Sequence, residues 1–406
     1  MKNRLIIVTE FFFPDQNATG YLLTRVAEGF VDIADVHVLC KKQKNYTMHP
    51  GGVSSSPPGM VTDRIPSTSF NKNILLLRLI NILTLSISFL LRLVWILREG
   101  DQVLVVTNPP SLPFIAAIAC RWKKARYSIL VHDVYPDVLI ATGVLRDKHV
   151  LARGLRWMSK KLLESSESII VLGRDMAKLL GATYCTINNR MTIIPNWGDV
   201  NHIIPEQRPG NSILAECSLE NKFVVQYVGN IGRTHNIELL VECAEILKEQ
   251  EDIHFLCIGD GAKKRWLSDS IAQKGLRNVS MRSFYPRSRQ SEVHNACDLV
   301  VISFIPGMAG ISVPSRMYNV MAAGKPIIGV TDTHSELAMV IQEENIGWVV
   351  SSYRAQDVVD VILSAKAAMN TLVDMGLRAR KTAEEKYTFE KVIPLYRNVL
   401  FNNMKE

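Results

Sequence analysis

The sequence predicts an α/β protein of two Rossmann-like domains, each a parallel sheet with helices packed against it. Three observations carry this. Short runs rich in Val, Ile and Leu alternate with segments of helical spacing through both halves of the chain, which is the pattern of βαβ units. The length of 406 residues exceeds what one hydrophobic core usually serves. Residues 302–327 (ISFIPGMAGISVPSRMYNVMAAGKPI) compress a strand, a glycine loop, a helix and the start of another strand into 26 residues. Pro314 is read there as the first helical position and Gly324 as the stop. Backbone N–H groups and Arg316 at that helix start would suit an anion.

Composition narrows the function classes. With 47% hydrophobic residues, both cores can be filled. The seven cysteines form no C-x-x-C pair and no zinc spacing, so they read as small buried hydrophobes in a reducing compartment. The apolar start reads as a first strand, because Glu10 and Pro14-Asp15 interrupt it too early for a signal peptide. Residues 1–200 carry 24 Lys+Arg against 15 Asp+Glu, whereas residues 201–406 carry 23 against 24. A basic half beside a near-neutral one points to a membrane surface or a phosphorylated substrate. Nucleic acid is not expected, since no Arg/Lys stripe interleaved with aromatics and no helix-turn-helix or zinc signature occurs.

In chain order, residues 4–10 form a buried strand. The turn Asn17-Ala18-Thr19-Gly20 leads into a helix with Thr19 as N-cap, at a loop where α/β proteins often place phosphate. It has one glycine where a dinucleotide fingerprint needs three. Residues 36–40 give a second strand, and residues 41–73 read as a long polar loop. The stretch 74–97 reaches transmembrane length, yet Arg78 and Arg92 would each cost roughly 2.5–3.5 kcal/mol at a bilayer centre. Arg78, Asn81, Thr84, Ser88 and Arg92 share one narrow helical face. A helix, single or broken in two, that is buried or lies in the membrane interface is therefore expected rather than a span.

Strands at 101–107 and 127–131 follow, with a helix from Leu112 between them. The second strand ends in His132-Asp133-Val134-Tyr135-Pro136-Asp137. Polar groups just past the C-terminal end of a parallel strand lie at the ligand edge, which makes His132, Asp133 and Asp137 site candidates. A helix with a basic face covers 150–164, strands cover 168–172 and 191–194, and a domain boundary falls near residue 200.

The second half repeats the rhythm. A strand at 223–228 enters the loop 229–236, which holds Asn230, Gly232, Arg233 and His235 ahead of a helix over 237–249. The strand 253–258 ends in Gly259-Asp260-Gly261. Further strands fit 279–284, 299–304 and 346–350, and the chain is helical beyond Arg354 with breaks near Thr388 and Pro394. Neither glycine loop completes G-x-G-x-x-G, so a dinucleotide-dependent oxidoreductase is disfavoured.

The Gly20 loop, the His132-Asp133 strand end, Pro195-Asn196-Trp197-Gly198-Asp199, the Gly229 loop, Gly259-Asp260-Gly261 and residues 318–326 (YNVMAAGKP) occur in the order found in a known family. The chain resembles the family-4 glycosyltransferases, in particular their bacterial O-antigen and exopolysaccharide branch with its L-fucosamine and colanic-acid-type transferases. The resemblance covers nearly the whole chain. It implies a GT-B fold, two Rossmann-like domains facing a central cleft: residues 1–200 binding acceptor, with the apolar segment 74–97; residues 201–385 binding a nucleotide sugar; and a C-terminal helix at 386–406 that can return to the first domain. The family's Arg and Lys on the first loop fall on Asn230 and His235, and its two glutamates fall on Ile311 and Asn319. Pro314-Ser315-Arg316 matches a Pro-Ser-Lys pattern of the branch.

The resemblance also implies roles. Arg233, Arg316, the Ser315 backbone and the Gly20 loop would grip the leaving pyrophosphate. His132 would orient a sugar hydroxyl, with Asp133 and Asp137 on the acceptor side. Asn230, Gly232, His235, Asp260, Gly261, Ile311, Ser315 and Asn319 would line the donor site. Met308 and Ile311 suggest a less polar sugar. No D-x-D pair occurs, so neither a metal nor another cofactor is expected. The acceptor would be a glycan, on a polyprenyl diphosphate, at the inner face of the cytoplasmic membrane, with the enzyme peripherally attached from the cytoplasm. Two other readings stand beside this one: a non-catalytic sugar-nucleotide-binding subunit at the membrane, and a GT-B sugar-nucleotide 2-epimerase. The epimerase would need carboxylates where Ile311 and Asn319 stand.

Overall fold

A computed structural model of the chain describes residues 3–15, 17–43, 56–70 and 75–401. Much of the loop read at 41–73, together with Ile74 and the side chain of Arg78, falls outside the described residues. The chain divides into two compact units. The first comprises Met1–Pro136, Asp147–Pro195 and Val392–Glu406; the second comprises Asp137–Arg146 and Asn196–Lys391.

The first unit opens with β1 (Asn3–Thr9), α1 (Ala18–Glu28), β2 (Ala34–Lys41), β3 (Met60–Ile65), α2 (Leu75–Ile96), β4 (Gln102–Val106), α3 (Leu112–Lys123) and β5 (Arg126–Val131). After α4 (Asp137–Ala141), which groups with the second unit, come α5 (Val150–Ser165), β6 (Ser168–Val171), α6 (Arg174–Thr183) and β7 (Met191–Ile193). All seven strands are parallel, in the order β3-β2-β1-β4-β5-β6-β7. Helices on both faces of such a sheet require strands that are apolar on both sides, and Leu5–Val8 and Val103–Val106 are accordingly buried throughout. Strand order reverses between β1 and β4, the position at which open α/β sheets receive ligands.

Strand β3 corrects the reading of 41–73 as loop. Its sequence, MVTDRI, is half-exposed at the sheet edge, so it lacks the continuous apolar run that marked the inner strands. Asp63 of β3 accepts from Arg92 Nε of α2 at 2.7 Å and contacts His37 Nε2 of β2 at 2.9 Å. Helix α2 is one unbroken helix of 22 residues. Its polar face is turned inward. Asn81 Oδ1 accepts from Phe70 N and from Thr68 Oγ1, both at 2.9 Å, while Thr84 Oγ1 accepts from Thr68 N at 3.3 Å. Asn81 and Thr84 thus bind the chain entering the helix.

The second unit contains α7 (Ser212–Cys217), β8 (Phe223–Asn230), α8 (Ile237–Ile246), β9 (Ile253–Asp260), α9 (Lys264–Lys274), β10 (Val279–Arg282), α10 (Gln290–Asn295), β11 (Leu299–Ser303), α11 (Arg316–Ala322), β12 (Ile327–Val330), α12 (Glu336–Glu343), β13 (Gly347–Val350), α13 (Ala355–Ala367) and α14 (Met369–Lys386). Its six strands are parallel, in the order β10-β9-β8-β11-β12-β13. Tyr227, Phe255, Leu240 and Ile362 belong to the core that closes one face of this sheet. Strand order reverses between β8 and β11.

Helix α15 (Phe389–Phe401) carries Pro394 inside it, so the break read at that residue is absent. From Val392 onward it belongs to the first unit. There Arg397 Nε donates to the Gly29 carbonyl at 2.8 Å, and Phe401 meets Phe30 edge to face.

Candidate functional site

In the second unit the candidate residues collect at the C-terminal ends of β8, β9 and β11. Strand β8 runs two residues further than its apolar pattern suggested. Gly229 pairs with Gly259 and Asn230 with Asp260 in register. A Cβ on Gly259 would stand 1.9 Å from the Gly229 carbonyl oxygen, and one on Gly261 would stand 2.4 Å from that of Ile231 and 2.6 Å from Asn230 Oδ1. Only glycine permits this approach. The ladder then continues past the strands, with Ile231 N donating to the Asp260 carbonyl at 2.8 Å and Lys263 N to that of Ile231 at 3.0 Å. Asn230 and Asp260 are left exposed beside Gly261. The Asp260 carboxyl is held below the usual carboxylate range by its bond from Lys264, at 2.9 Å.

Arg316 crosses the reversal point of this sheet. From the start of α11 its Nη1 donates to the Val228 carbonyl at 3.1 Å, and its guanidinium lies 4.8 Å over the ring of Tyr227. Pro314 precedes this helix instead of opening it. Ser315 is the cap residue, without a side-chain capping bond, and the Pro314 carbonyl accepts from Met317 N at 3.1 Å in a turn.

His235 is buried against Phe304, with ring centroids 5.2 Å apart, and its Nδ1 lies 2.9 Å from Thr234 Oγ1. Burial, and then the Arg316 charge, push its imidazole well below its ordinary pKa. The ring is neutral and packs the loop. Arg233, in contrast, is exposed and makes no hydrogen bond or ion pair with the described residues. Ile311 is buried, as is Met308. Asn319 Oδ1 accepts from Asp199 N at 3.1 Å. That acceptor is therefore already committed to the 195–199 turn.

In the first unit, Gly20 lies in the first turn of α1. The N-cap is Asn17, not Thr19: its Oδ1 accepts from Gly20 N at 2.8 Å. That amide is thus occupied inside the helix. Asp15 sits so close that a Cβ on Gly20 would meet Asp15 Cβ at 3.0 Å. His132 and Asp133 follow β5, and Thr107, at the end of β4, accepts from both of their backbone amides, at 3.0 and 3.2 Å. The His132 side chain is half-buried, and the loss of water around it pushes the imidazole down to about 4. Asp137 opens α4, in the stretch grouped with the second unit.

Four residues of these clusters escaped sequence reasoning. Thr107 ties the β4 and β5 ends together; its signal was a hydroxyl closing an apolar strand. Tyr227 lies beneath Arg316 but reads as one more strand residue. Lys263 Nζ donates to the His235 carbonyl at 3.0 Å and to Glu238 at 2.8 Å. It places a cation beside the position where the family's lysine was sought. Asp332 accepts from Gly307 N at 3.1 Å and Ala309 N at 3.3 Å, which fixes the loop after β11. Nothing in its local sequence signals that.

A family model described as Glycosyltransferase Family 4 matches residues 33–202, and one described as Glycosyl transferases group 1 matches residues 215–382. The chain belongs to the family-4 glycosyltransferases. This glycosyltransferase is 29% identical over 360 residues to WbjE of Pseudomonas aeruginosa, described as a glycosyltransferase, with 85% of each chain covered. It is 27% identical over 157 residues to WcaI of Escherichia coli K12, described as a glycosyl transferase of colanic acid biosynthesis, over 36% of this chain and 37% of that one. The crystal structure of Anabaena HepE in complex with UDP and glucose matches the glycosyltransferase with a TM-score of 0.74 at 13% identity, covering 98% of this chain and 100% of that one. The fold is GT-B.

Proposed function

We propose that the protein is a retaining glycosyltransferase of bacterial surface polysaccharide synthesis, moving a sugar from a nucleotide-diphosphate donor to a polyprenyl-diphosphate-linked glycan. One observation carries the donor side. Arg316 is held across the reversal point of the second sheet, beside a glycine ledge at Gly229, Gly259 and Gly261 that lets the ends of β8 and β9 close on each other and on the guanidinium. The UDP and glucose in HepE and the colanic acid of WcaI support the choice of donor and product class.

In the proposed step, the bond between the anomeric carbon and the leaving phosphate oxygen breaks while the acceptor hydroxyl oxygen bonds that carbon on the same face. The acceptor proton passes to the departing phosphate oxygen. Negative charge grows on the pyrophosphate, and fixed donors aimed at it stabilise the transition state. Arg316 and Arg233 take that role, without a divalent metal. His132, neutral above about pH 4, orients a sugar hydroxyl. Asn230 and Asp260 bind the donor from the exposed edge of the ledge, and Asp133 and Asp137 serve the acceptor. The protein works from the cytoplasm, peripherally at the inner membrane face. The buried Met308 and Ile311 favour a 6-deoxy or N-acetylated sugar.

A panel of UDP-, GDP- and dTDP-sugars with a polyprenyl-diphosphate-linked acceptor tests this reading. Transfer with retained anomeric configuration, unchanged by chelator, is expected. Inverted product or loss of turnover on chelation overturns the mechanism. Donor binding without any transfer supports the non-catalytic subunit instead.

A further inference from the structure

Helix α2 breaks the usual rule for a helix on a soluble domain. Its polar residues Asn81, Thr84 and Arg92 are bonded inward to the 63–70 segment, and Leu85, Phe89 and Leu93 are buried. The face left to solvent is apolar from end to end. Leu79, Leu83, Ile87, Leu91 and Trp95 recur every fourth residue and are between 49% and 74% exposed. At 1.5 Å per residue this stripe is about 24 Å long.

A second stripe lies beside it. Ser86 of α2 meets Ser111, just before α3, at 2.9 Å, with an offset of 25 residues. Glu99 and Lys124, past the ends of the two helices, pair with the same offset at 3.8 Å. The two helices therefore run side by side in one direction, and α3 adds exposed Ile118 and Trp122. Contiguous apolar surface of this kind marks a site that something else covers.

The charges around it say what. Arg98, Arg121, Lys123 and Lys124 crowd the C-terminal ends of both helices, and Arg92 stacks on Trp95 at 4.3 Å. Leucines and tryptophans on one plane with cations at its margin fit the boundary between acyl chains and anionic headgroups. A protein partner would not need that combination. Because the opposite face of α2 is hydrogen-bonded and buried within its own unit, the helix has one face to offer. It can lie in a bilayer surface but not cross it in this fold.

We infer that the exposed face of α2 and α3 is a docking surface for an anionic lipid bilayer, with Trp95 and Trp122 at headgroup depth. This deepens the membrane-side acceptor reading above, and vesicles free of donor and acceptor test it separately from that reading. The full chain is sedimented with phosphatidylglycerol/phosphatidylcholine vesicles and with phosphatidylcholine vesicles alone. Binding to the anionic vesicles that weakens with salt, together with a blue shift in tryptophan emission, is expected. Leu83→Glu with Leu91→Glu should weaken binding by about tenfold or more, and Arg121→Glu with Lys124→Glu should abolish the preference for anionic lipid. Circular dichroism and thermal melting confirm that the variants fold. No binding by the parent chain, or folded variants that bind as the parent does, would overturn the proposal. So would a dimer in sedimentation equilibrium that Leu83→Glu with Leu91→Glu dissociates, since the face would then bind a second copy.

Discussion

Arg316 Nη1 donates to the Val228 carbonyl at 3.1 Å while its guanidinium lies over Tyr227, so a residue after β11 is anchored on β8. No ion pair with the described residues neutralises it. Its direction is fixed by a strand end, and its charge remains available to a phosphate. Replacing Arg316 by Lys keeps the charge and loses the planar fork. We expect kcat to fall about 10²–10³-fold, and the affinity for the nucleoside diphosphate, read by calorimetry, to fall with it. Stability should drop by only about 1 kcal/mol, since one hydrogen bond and one partly exposed cation–π contact are lost.

Arg233 makes the opposite case. It is exposed and unpaired among the described residues, so Arg233→Ala should leave the unfolding free energy from urea titration within about 0.5 kcal/mol of the parent's. If the side chain closes on the leaving group, kcat/KM falls at least about tenfold. Unchanged turnover would remove Arg233 from the donor site and leave Arg316 as its cation.

The glycine ledge predicts a backbone effect. Gly259→Ala would drive a methyl group to 1.9 Å from the Gly229 carbonyl, and neither neighbouring strand can yield without breaking its ladder. A loss of about 3 kcal/mol is expected, seen as a lower melting temperature. Gly275→Ala is a useful contrast. It meets no atom within 4 Å but has φ +61, so only the smaller left-handed penalty of about 1 kcal/mol applies.

What could be read from sequence follows from how local each signal is. Buried parallel strands announce themselves as unbroken Val/Ile/Leu runs, as at Leu5–Val8 and Val103–Val106, and His132, Asn230 and Asp260 fell at strand ends because the chain pattern locates those ends. Strand β3 was illegible because an edge strand carries Asp63 and Arg64, whose partners on α2 and in the loop after β1 are remote in sequence. The polar row on α2 was legible as a face, but its direction was not. Sequence spacing gives the angle between residues and says nothing of whether that angle points to water or to Thr68 and Phe70. The same limit hid the bond from Asp199 N to Asn319.

The last prediction concerns acid. His294 is buried, its Nδ1 has no hydrogen-bond partner, and burial, with a smaller push from the Arg287 charge, lowers its imidazole to about 4. The unfolded chain binds that proton near pH 6.5. Between those values the unfolded state holds one more proton than the native state, so stability falls as pH drops from about 6.5 toward about 4 and is flat above the window. His254 shifts in the same direction for the same first cause. Each such group contributes a slope of at most about 1.4 kcal/mol per pH unit. Urea unfolding at steps from pH 7.5 to 4.5 should show the descending limb, and His294→Leu, which removes the proton-binding group and the unpaired nitrogen together, should flatten it by about that amount. An acid limb of the same slope in His294→Leu would mean that the imidazole takes up its proton in the folded protein as readily as in the unfolded chain.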